Sequence, residues 1–407
     1  MEKRLTPGVF AGTVTPPSSK SAGHRLLLCA ALAPGRSVVE GLSLSQDIRA
    51  TLDCIRALGA RAELAGNRCT VEGTPLPHTL EALPAFPCGE SGSTLRFFLP
   101  VALAGVGGGR FTGARRLLER PLEPYFAIFR RQGIAFTQEP EALTVSGRLR
   151  AGTFSLPGNV SSQFFTGLLL AAPLLSGESR VLCAGPLESA EYVDMTIAAM
   201  ALAGREVERL PNGVGYLVTP GPYRPFTVRV EGDWSAAAFW YAANFPDGGV
   251  KILGLDDASP QGDKVIASLA QSLARPGEAR IDVSGCPDLV PALAALAALR
   301  PGEVTYIINA ARLRLKESDR LATVTAVLSA LGADIQETPD SLVIRGKEAL
   351  AGGCVVSSHN DHRIAMMAAV AAARCREAVV LTGAEAVEKS YPGFWADYER
   401  LHEEGRP

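Results

Sequence analysis

Several short stretches concentrate groups that can hold anions and move protons. In residues 16–25, PPSSKSAGHR, Lys20, His24 and Arg25 stand in and just after a Pro/Ser turn, where the apolar run LLLCAALA begins a helix. Orphan N–H groups and the macrodipole make a helix N-terminus favour negative charge by roughly 0.3–1 kcal/mol. Cations there are unfavourable unless an anion joins them. The alternative is a helix capped by Ser18, Ser19 or Ser21, with the basic side chains reaching away into water. The arrangement recurs in CGESGSTLRFFLPVALAG, where Ser91, Gly92 and Ser93 precede Arg96. It recurs again in LPGNVSSQFFTGLLLAAPLL, with Gly158, Asn159, Ser161 and Ser162 ahead of an apolar helix. One such turn reads as a capped core helix, but three together read as an oxyanion site, because small polar turns opening helices hold phosphate.

The second half of the chain carries charges of another kind. RLRLKESDRLATV sets Lys316 and Arg320 four apart, as if on one helical face, beside Glu317 and Asp319. A solvated helix laced with ion pairs is the alternative. SSHNDHRIAMMAAVAAA crowds His359, Asp361, His362 and Arg363 at the mouth of an apolar helix. H-x-x-H suggests a metal, yet no third ligand follows at a useful spacing, and asparagine and arginine are poor company for a cation. An anion is the expected guest, with no metal and no cofactor.

Composition limits what can bind. At 407 residues and 47% hydrophobic content, the chain can fill two or more cores. The formal net charge of −2 and the mixing of signs give no support to nucleic-acid or membrane-surface binding. The start, MEKRLTPGVF, lacks a signal-peptide stretch, and no apolar run is long enough to span a membrane. The eight cysteines are scattered without a C-x-x-C pair, which fits a reducing cytoplasm rather than a zinc or disulfide framework.

The elements that must position these groups repeat. LGARAELAGNRCTVEG, RQGIAFTQEPEALTVSG, LAGREVERLPNGVGYLV and LGADIQETPDSLVIRG each read as a helix end, a glycine and a hairpin, with glycines at 59, 133, 204 and 332. A weaker match lies around RPGEARIDVSG. Blocks of about 70 residues exceed a solenoid repeat, and imply two lobes of three blocks with a boundary near Pro220, Pro222 and Pro225. The predicted lobes are 1–18 with 231–407, and 19–230, so the chain begins in one lobe, builds the other and returns.

The motifs SSKSAGHR, SGSTLR, ERP, GNVSSQF, CPDLVPALAALA, KESDR, NDHRIAM and EKSYPGFW, in this order, resemble the 5-enolpyruvylshikimate-3-phosphate synthase family over nearly the whole chain. That resemblance implies an α/β fold, a two-lobed inverse α/β barrel with three βαβαββ units per lobe. It implies transfer of the enolpyruvyl group of phosphoenolpyruvate to the 5-hydroxyl of shikimate 3-phosphate through a tetrahedral ketal, with loss of phosphate. Asp288, Glu317 and Lys20 are then the proton-transfer groups, their division of labour open. Shikimate 3-phosphate falls to Ser21, Arg25, Ser161, Ser162, Gln163, Ser189, Asp288 and Lys316. Phosphoenolpyruvate falls to Lys20, Gly92, Arg120, Gln163, Arg320, Arg363 and Lys389, with Arg96 a further anion contact. The partners implied are these two small molecules only, and the expected state is a cytoplasmic monomer.

The chain departs from the family pattern at Glu90 and Ser93, where asparagine and threonine are usual, at Arg312 in place of an asparagine, and at Ala190 and Glu191 in place of Lys-Pro, with Tyr192 kept. Glu90 either points away from a phosphate or is neutralised by a cation such as Arg25. UDP-N-acetylglucosamine enolpyruvyl transferase shares the fold and the phosphoenolpyruvate chemistry, but uses a loop cysteine that TGARRLLERP lacks. A catalytically silent anion-binding relative would have no need of Asp288, Glu317 and Lys20 together.

Overall fold

Each of the four repeat glycines follows a helix in a positive-φ conformation that side chains rarely adopt: Gly59 at +102°, Gly133 at +70°, Gly204 at +72° and Gly332 at +94°. Each turns the chain into an antiparallel strand pair, such as Ala135–Glu139 with Ala142–Ser146, or Asp334–Glu337 with Leu342–Arg345. The computed structural model describes residues 1–78 and 81–405. By its internal contacts the chain forms two units, Met1–Pro17 with Glu231–Pro407 (the terminal unit below) and Ser18–Val230.

The Ser18–Val230 unit holds three four-stranded sheets among the described residues. One block runs strand Ala85–Gly89, helix Gly92–Gly105, strand Gly108–Gly113, helix Glu123–Gln132 and the hairpin, in βαβαββ order. A second runs from Thr153–Pro157 to Gly215–Val218 in the same order. In the third sheet the first-strand place is taken by Thr227–Arg229, which pairs parallel with Gly35–Glu40 and ties the end of the unit to its beginning. The terminal unit has one complete block, from Ala279–Asp282 to Leu342–Arg345, and two thinner sheets, one of three strands and one of two. The weak fifth repeat is not a hairpin. Gly277 leads into Ala279–Asp282, a single strand that pairs parallel with Val304–Ile308 and opens the complete block.

Each unit has its own core of largely apolar helices. Lys20–Leu32, Gly92–Gly105 and Ser162–Ala171 are buried nearly all round in one; Trp234–Ala243, Val290–Ala297 and His362–Ala372 pack together in the other. Close approach needs glycine at position 167, where a Cβ would stand 2.4 Å from the Arg96 carbonyl oxygen and 2.3 Å from the Tyr125 hydroxyl. Such apolar helices have few polar groups except at their ends, so the chemistry gathers there.

Candidate active site

The helix N-termini are capped differently in the two units. Ser19, Ser45, Ser91 and Ser161 cap helices in the Ser18–Val230 unit, whereas Asp233, Asp319 and Asp361 cap helices in the terminal unit. A serine cap satisfies a backbone N–H without adding negative charge, so the positive field remains for an anion. An aspartate cap brings its own anion.

Lys20 opens its helix directly after the Ser19 cap, and its Nζ pairs with Asp47 Oδ2 at 2.8 Å. Of the other candidate caps, Ser18 Oγ accepts from the Ser43 N–H at 2.7 Å. Arg25 is 2% exposed and lies inside the protein rather than reaching into water. Its Nε donates to Thr196 Oγ1, Nη1 to the Ser21 carbonyl, and Nη2 to the Tyr192 carbonyl and to Thr166 Oγ1. Glu90 is not among these partners, so Arg25 does not neutralise it. Burial brings the Arg25 guanidinium down to about 10, still charged at neutral pH. Ser189 precedes its helix at φ +53°, a strained conformation for a residue with a side chain.

A second group surrounds the Gly92 turn. A Cβ at Gly92 would lie 2.7 Å from Arg120 Nη1, 3.5 Å from Arg96 Nη1 and 3.7 Å from Gln163 Oε1. Gln163 Oε1 accepts from Arg96 Nη1 at 2.7 Å, and its Nε2 donates to Ser93 Oγ at 3.0 Å. Arg96 lies over the Phe164 ring at 5.1 Å. Two guanidinium groups, a glycine and the start of a helix therefore share one place.

In the terminal unit the charges converge on Asp288, which sits in a short 3-10 turn ahead of Val290–Ala297. Asp288 Oδ1 receives Arg320 Nη1 at 2.9 Å and Lys316 Nζ at 3.3 Å; Oδ2 receives Arg363 Nη2 at 3.0 Å. Arg320 also reaches Glu317 Oε2 at 2.7 Å and Asp361 Oδ2 at 2.8 Å. Burial opposes the Asp288 charge, but Arg363, Lys316 and Arg320 outweigh it and hold the carboxyl well below its ordinary range. Lys316 is brought down by burial and by Arg320 and Arg312, against Asp288 and Glu317. Lys389 Nζ donates to the Asn360 carbonyl at 2.6 Å, next to Asp361.

Some placements differ from the sequence reading. Lys316 and Arg320 do not share a helical face: Asp319 caps the helix, which begins at Arg320, and Lys316 ends the preceding 3-10 turn. They meet through Asp288 instead. His359 is exposed at φ +51° while His362 is buried, and among the described residues no group of three metal-ligating side chains could hold an ion. The sequence does not mark Asp47, whose partner Lys20 lies 27 residues away, and it places Asp361 at a helix mouth without showing its pairing with Arg320, 41 residues away. No helix among the described residues is long and apolar enough to cross a membrane.

Residues 6–398 match the family described as EPSP synthase (3-phosphoshikimate 1-carboxyvinyltransferase). The 3-phosphoshikimate 1-carboxyvinyltransferase of Clostridium kluyveri is 41% identical over 414 residues, covering 98% of this chain and 96% of the relative. That of Clostridium acetobutylicum is 41% identical with the same coverage. Among solved structures, EPSP synthase from Acinetobacter baumannii superposes with a TM-score of 0.80 at 26% identity, covering 98% of both chains. The enolpyruvyl transferase NikO from Streptomyces tendae, at 18% identity and a TM-score of 0.78 over 98% of this chain and 97% of its own, shares the fold.

Proposed function

We propose roles for these residues from one premise: the chain belongs to the EPSP synthase (3-phosphoshikimate 1-carboxyvinyltransferase) family, and it transfers the enolpyruvyl group of phosphoenolpyruvate to shikimate 3-phosphate. Each substrate carries a phosphate and a carboxylate, so four anionic groups need cations or N–H donors. In the Ser18–Val230 unit, Ser161, Ser162 and Ser189 take the phosphate of shikimate 3-phosphate, and Gln163 lies beside its ring. A guanidinium has five N–H donors; Arg25 uses four on the protein. The remaining Nη1–H, together with Ser21, takes a further oxygen of the same substrate. Gly92, Arg120, Lys20 and Lys389 take the phosphate of phosphoenolpyruvate, with Arg96 behind them.

The observation that carries the chemistry is the grip of Arg320, Arg363 and Lys316 on Asp288. A carboxylate so held is a weak base. Arg320 and Arg363 are suited to the carboxylate of phosphoenolpyruvate through the guanidinium fork, and when they turn to it Asp288 is released. Its basicity then rises where the 5-hydroxyl of shikimate 3-phosphate must lose a proton, with Lys316 near the hydroxyls. The hydroxyl oxygen bonds to C2 while C3 gains a proton, giving the tetrahedral ketal. C3 then loses a proton as the C2–O bond to phosphate breaks. Glu317 and Lys20 are the groups that exchange the C3 proton. Every residue assigned comes from one chain, and we propose that it works as a cytoplasmic monomer.

Purified protein given both substrates is expected to release phosphate. Replacing shikimate 3-phosphate by UDP-N-acetylglucosamine is expected to release none; phosphate only with the latter, or with neither, would overturn the reading.

A further inference from the structure

Four buried side chains join three helices of the Ser18–Val230 unit in one line. His24 Nδ1 lies 2.6 Å from Thr51 Oγ1, Thr51 Oγ1 lies 2.8 Å from Thr94 Oγ1, and Thr94 Oγ1 donates to Ser91 Oγ at 2.7 Å. None of the four is more than 1% exposed. The last bond sets the direction of the others, because a hydroxyl has a single hydrogen. Thr94 gives its hydrogen to Ser91, so Thr51 donates to Thr94. Thr51 has then used its own, so His24 Nδ1 carries the proton that Thr51 accepts. Ser91 Oγ also accepts the Thr94 backbone N–H at 3.2 Å, which occupies both its lone pairs and directs its hydrogen out of the line.

The histidine suits this order. Nε2 has no hydrogen-bond partner, a tolerable state for a bare ring nitrogen and a costly one for a buried N–H. Burial, followed by the charges of Lys20 and Arg25, holds His24 well below its ordinary value, so the ring is neutral. Phe97 meets it edge to face at 6.4 Å and fixes its plane.

We infer that His24 is a positioning residue: acting through Thr51 and Thr94, it holds the Ser91 hydroxyl as a donor aimed at the phosphate of phosphoenolpyruvate in the Gly92 turn. The inference rests on the reading that this turn takes that phosphate. Ser91 is the residue next to Gly92, whose open side already faces Arg120 Nη1. A hydroxyl locked by its neighbours has no rotation to lose when the anion arrives. The same line ties together helices Lys20–Leu32, Gln46–Ala57 and Gly92–Gly105, so Lys20, Asp47 and the Gly92 turn keep one spacing.

Two measurements on the full chain test this. In ¹⁵N-histidine NMR, with His24 assigned by its loss in His24→Gln, the expected signals are those of a neutral Nδ1–H ring unchanged from about pH 5.5 to about 8.5. An Nε2–H tautomer, or titration in that range, would overturn the inference whether or not the kinetic variants fold. In kinetics, Thr51→Val is expected to raise KM for phosphoenolpyruvate roughly tenfold, the loss of one hydrogen bond to a charged group, while KM for shikimate 3-phosphate stays unchanged and Thr51→Ser restores the wild-type value. Arg120→Met separates the two ideas. If it raises KM for phosphoenolpyruvate and Thr51→Val does not, the hydroxyl line is irrelevant to binding. If Arg120→Met leaves that KM unmoved, the turn is not the phosphate site and the inference falls with that reading.

Discussion

Arg320 Nη1 meets Asp288 Oδ1 at 2.9 Å, and the same guanidinium, 1% exposed, also holds Glu317 and Asp361. One cation thus keeps three carboxylates in place. Burial works against its charge, but Asp361, Glu317 and Asp288 outweigh it and push the Arg320 guanidinium above its ordinary value. Arg320→Met leaves Asp361, which is 0% exposed, without that partner. Breaking a buried pair from one side costs about 3–5 kcal/mol, so urea denaturation is expected to show a loss of that size. Arg320→Lys is expected to recover little, because a point ammonium cannot reach three acceptors. An Arg320→Met protein as stable as wild type would contradict this organisation.

Much of this site could be read along the chain because it is built at helix starts. A Pro/Ser turn and two Gly/Ser turns followed by apolar runs mark the helices from Lys20, Gly92 and Ser162, and the repeat glycines mark the hairpins. What could not be read was pairing at a distance. Asp361 is an N-cap by its local sequence, yet it also holds Arg320, 41 residues away. Lys316 and Arg320 have helical spacing, but Asp319 accepts from the Ala322 N–H and starts the helix at Arg320, four residues too late to include Lys316. The depth of Arg25 was hidden for the same reason: its acceptors come from Tyr192, Thr166 and Thr196, on two other helices.

Lys20→Ala is expected to fold normally and to lose turnover. Its partner Asp47 keeps some access to water, 12% of its side chain being exposed, so loss of the 2.8 Å pair lowers stability without unfolding the chain. A group that moves a proton in the transition state contributes about 10²–10⁴ in rate, and kcat is expected to fall by that factor. A folded variant with near-normal kcat would remove Lys20 from the proton-transfer set.

Gly92→Ala tests the phosphate turn. The added Cβ would stand 2.7 Å from Arg120 Nη1, the far end of a flexible side chain, so the protein folds and Arg120 moves. Steady-state kinetics should show KM for phosphoenolpyruvate raised by roughly tenfold, as for a weakened hydrogen bond to a charged group. KM for shikimate 3-phosphate should change little; a rise in that constant alone would assign the turn to the wrong substrate.

Stability should depend on pH through Asp263, a buried carboxyl that accepts from Ser235 Oγ. Burial, then the Asp288 charge, pushes it up to about 6, against Arg363 and Ser235. Because its folded value is raised, its contribution is complete below the unfolded value near 4 and is lost as pH rises through about 6. Asp263→Asn is therefore expected to gain on wild type across that window, by on the order of 3 kcal/mol at neutral pH. Asp288 and Asp361 have the opposite sign, since their ion pairs lower them against burial. Their contribution is present above about pH 4 and is lost below it in both proteins. Denaturation midpoints across pH 4 to about 8 check this, and a constant difference between the two proteins would refute it.

The most direct measurement is ³¹P NMR of the reaction with wild type and with Asp288→Asn. Asn keeps the shape of Asp288 but removes the charge that Arg320, Arg363 and Lys316 hold. The wild-type protein should convert phosphoenolpyruvate to inorganic phosphate one for one, and only when shikimate 3-phosphate is present. Folded Asp288→Asn should do so about 10²–10⁴ times more slowly. Phosphate release by Asp288→Asn at the wild-type rate would contradict the placement of the chemistry at Asp288.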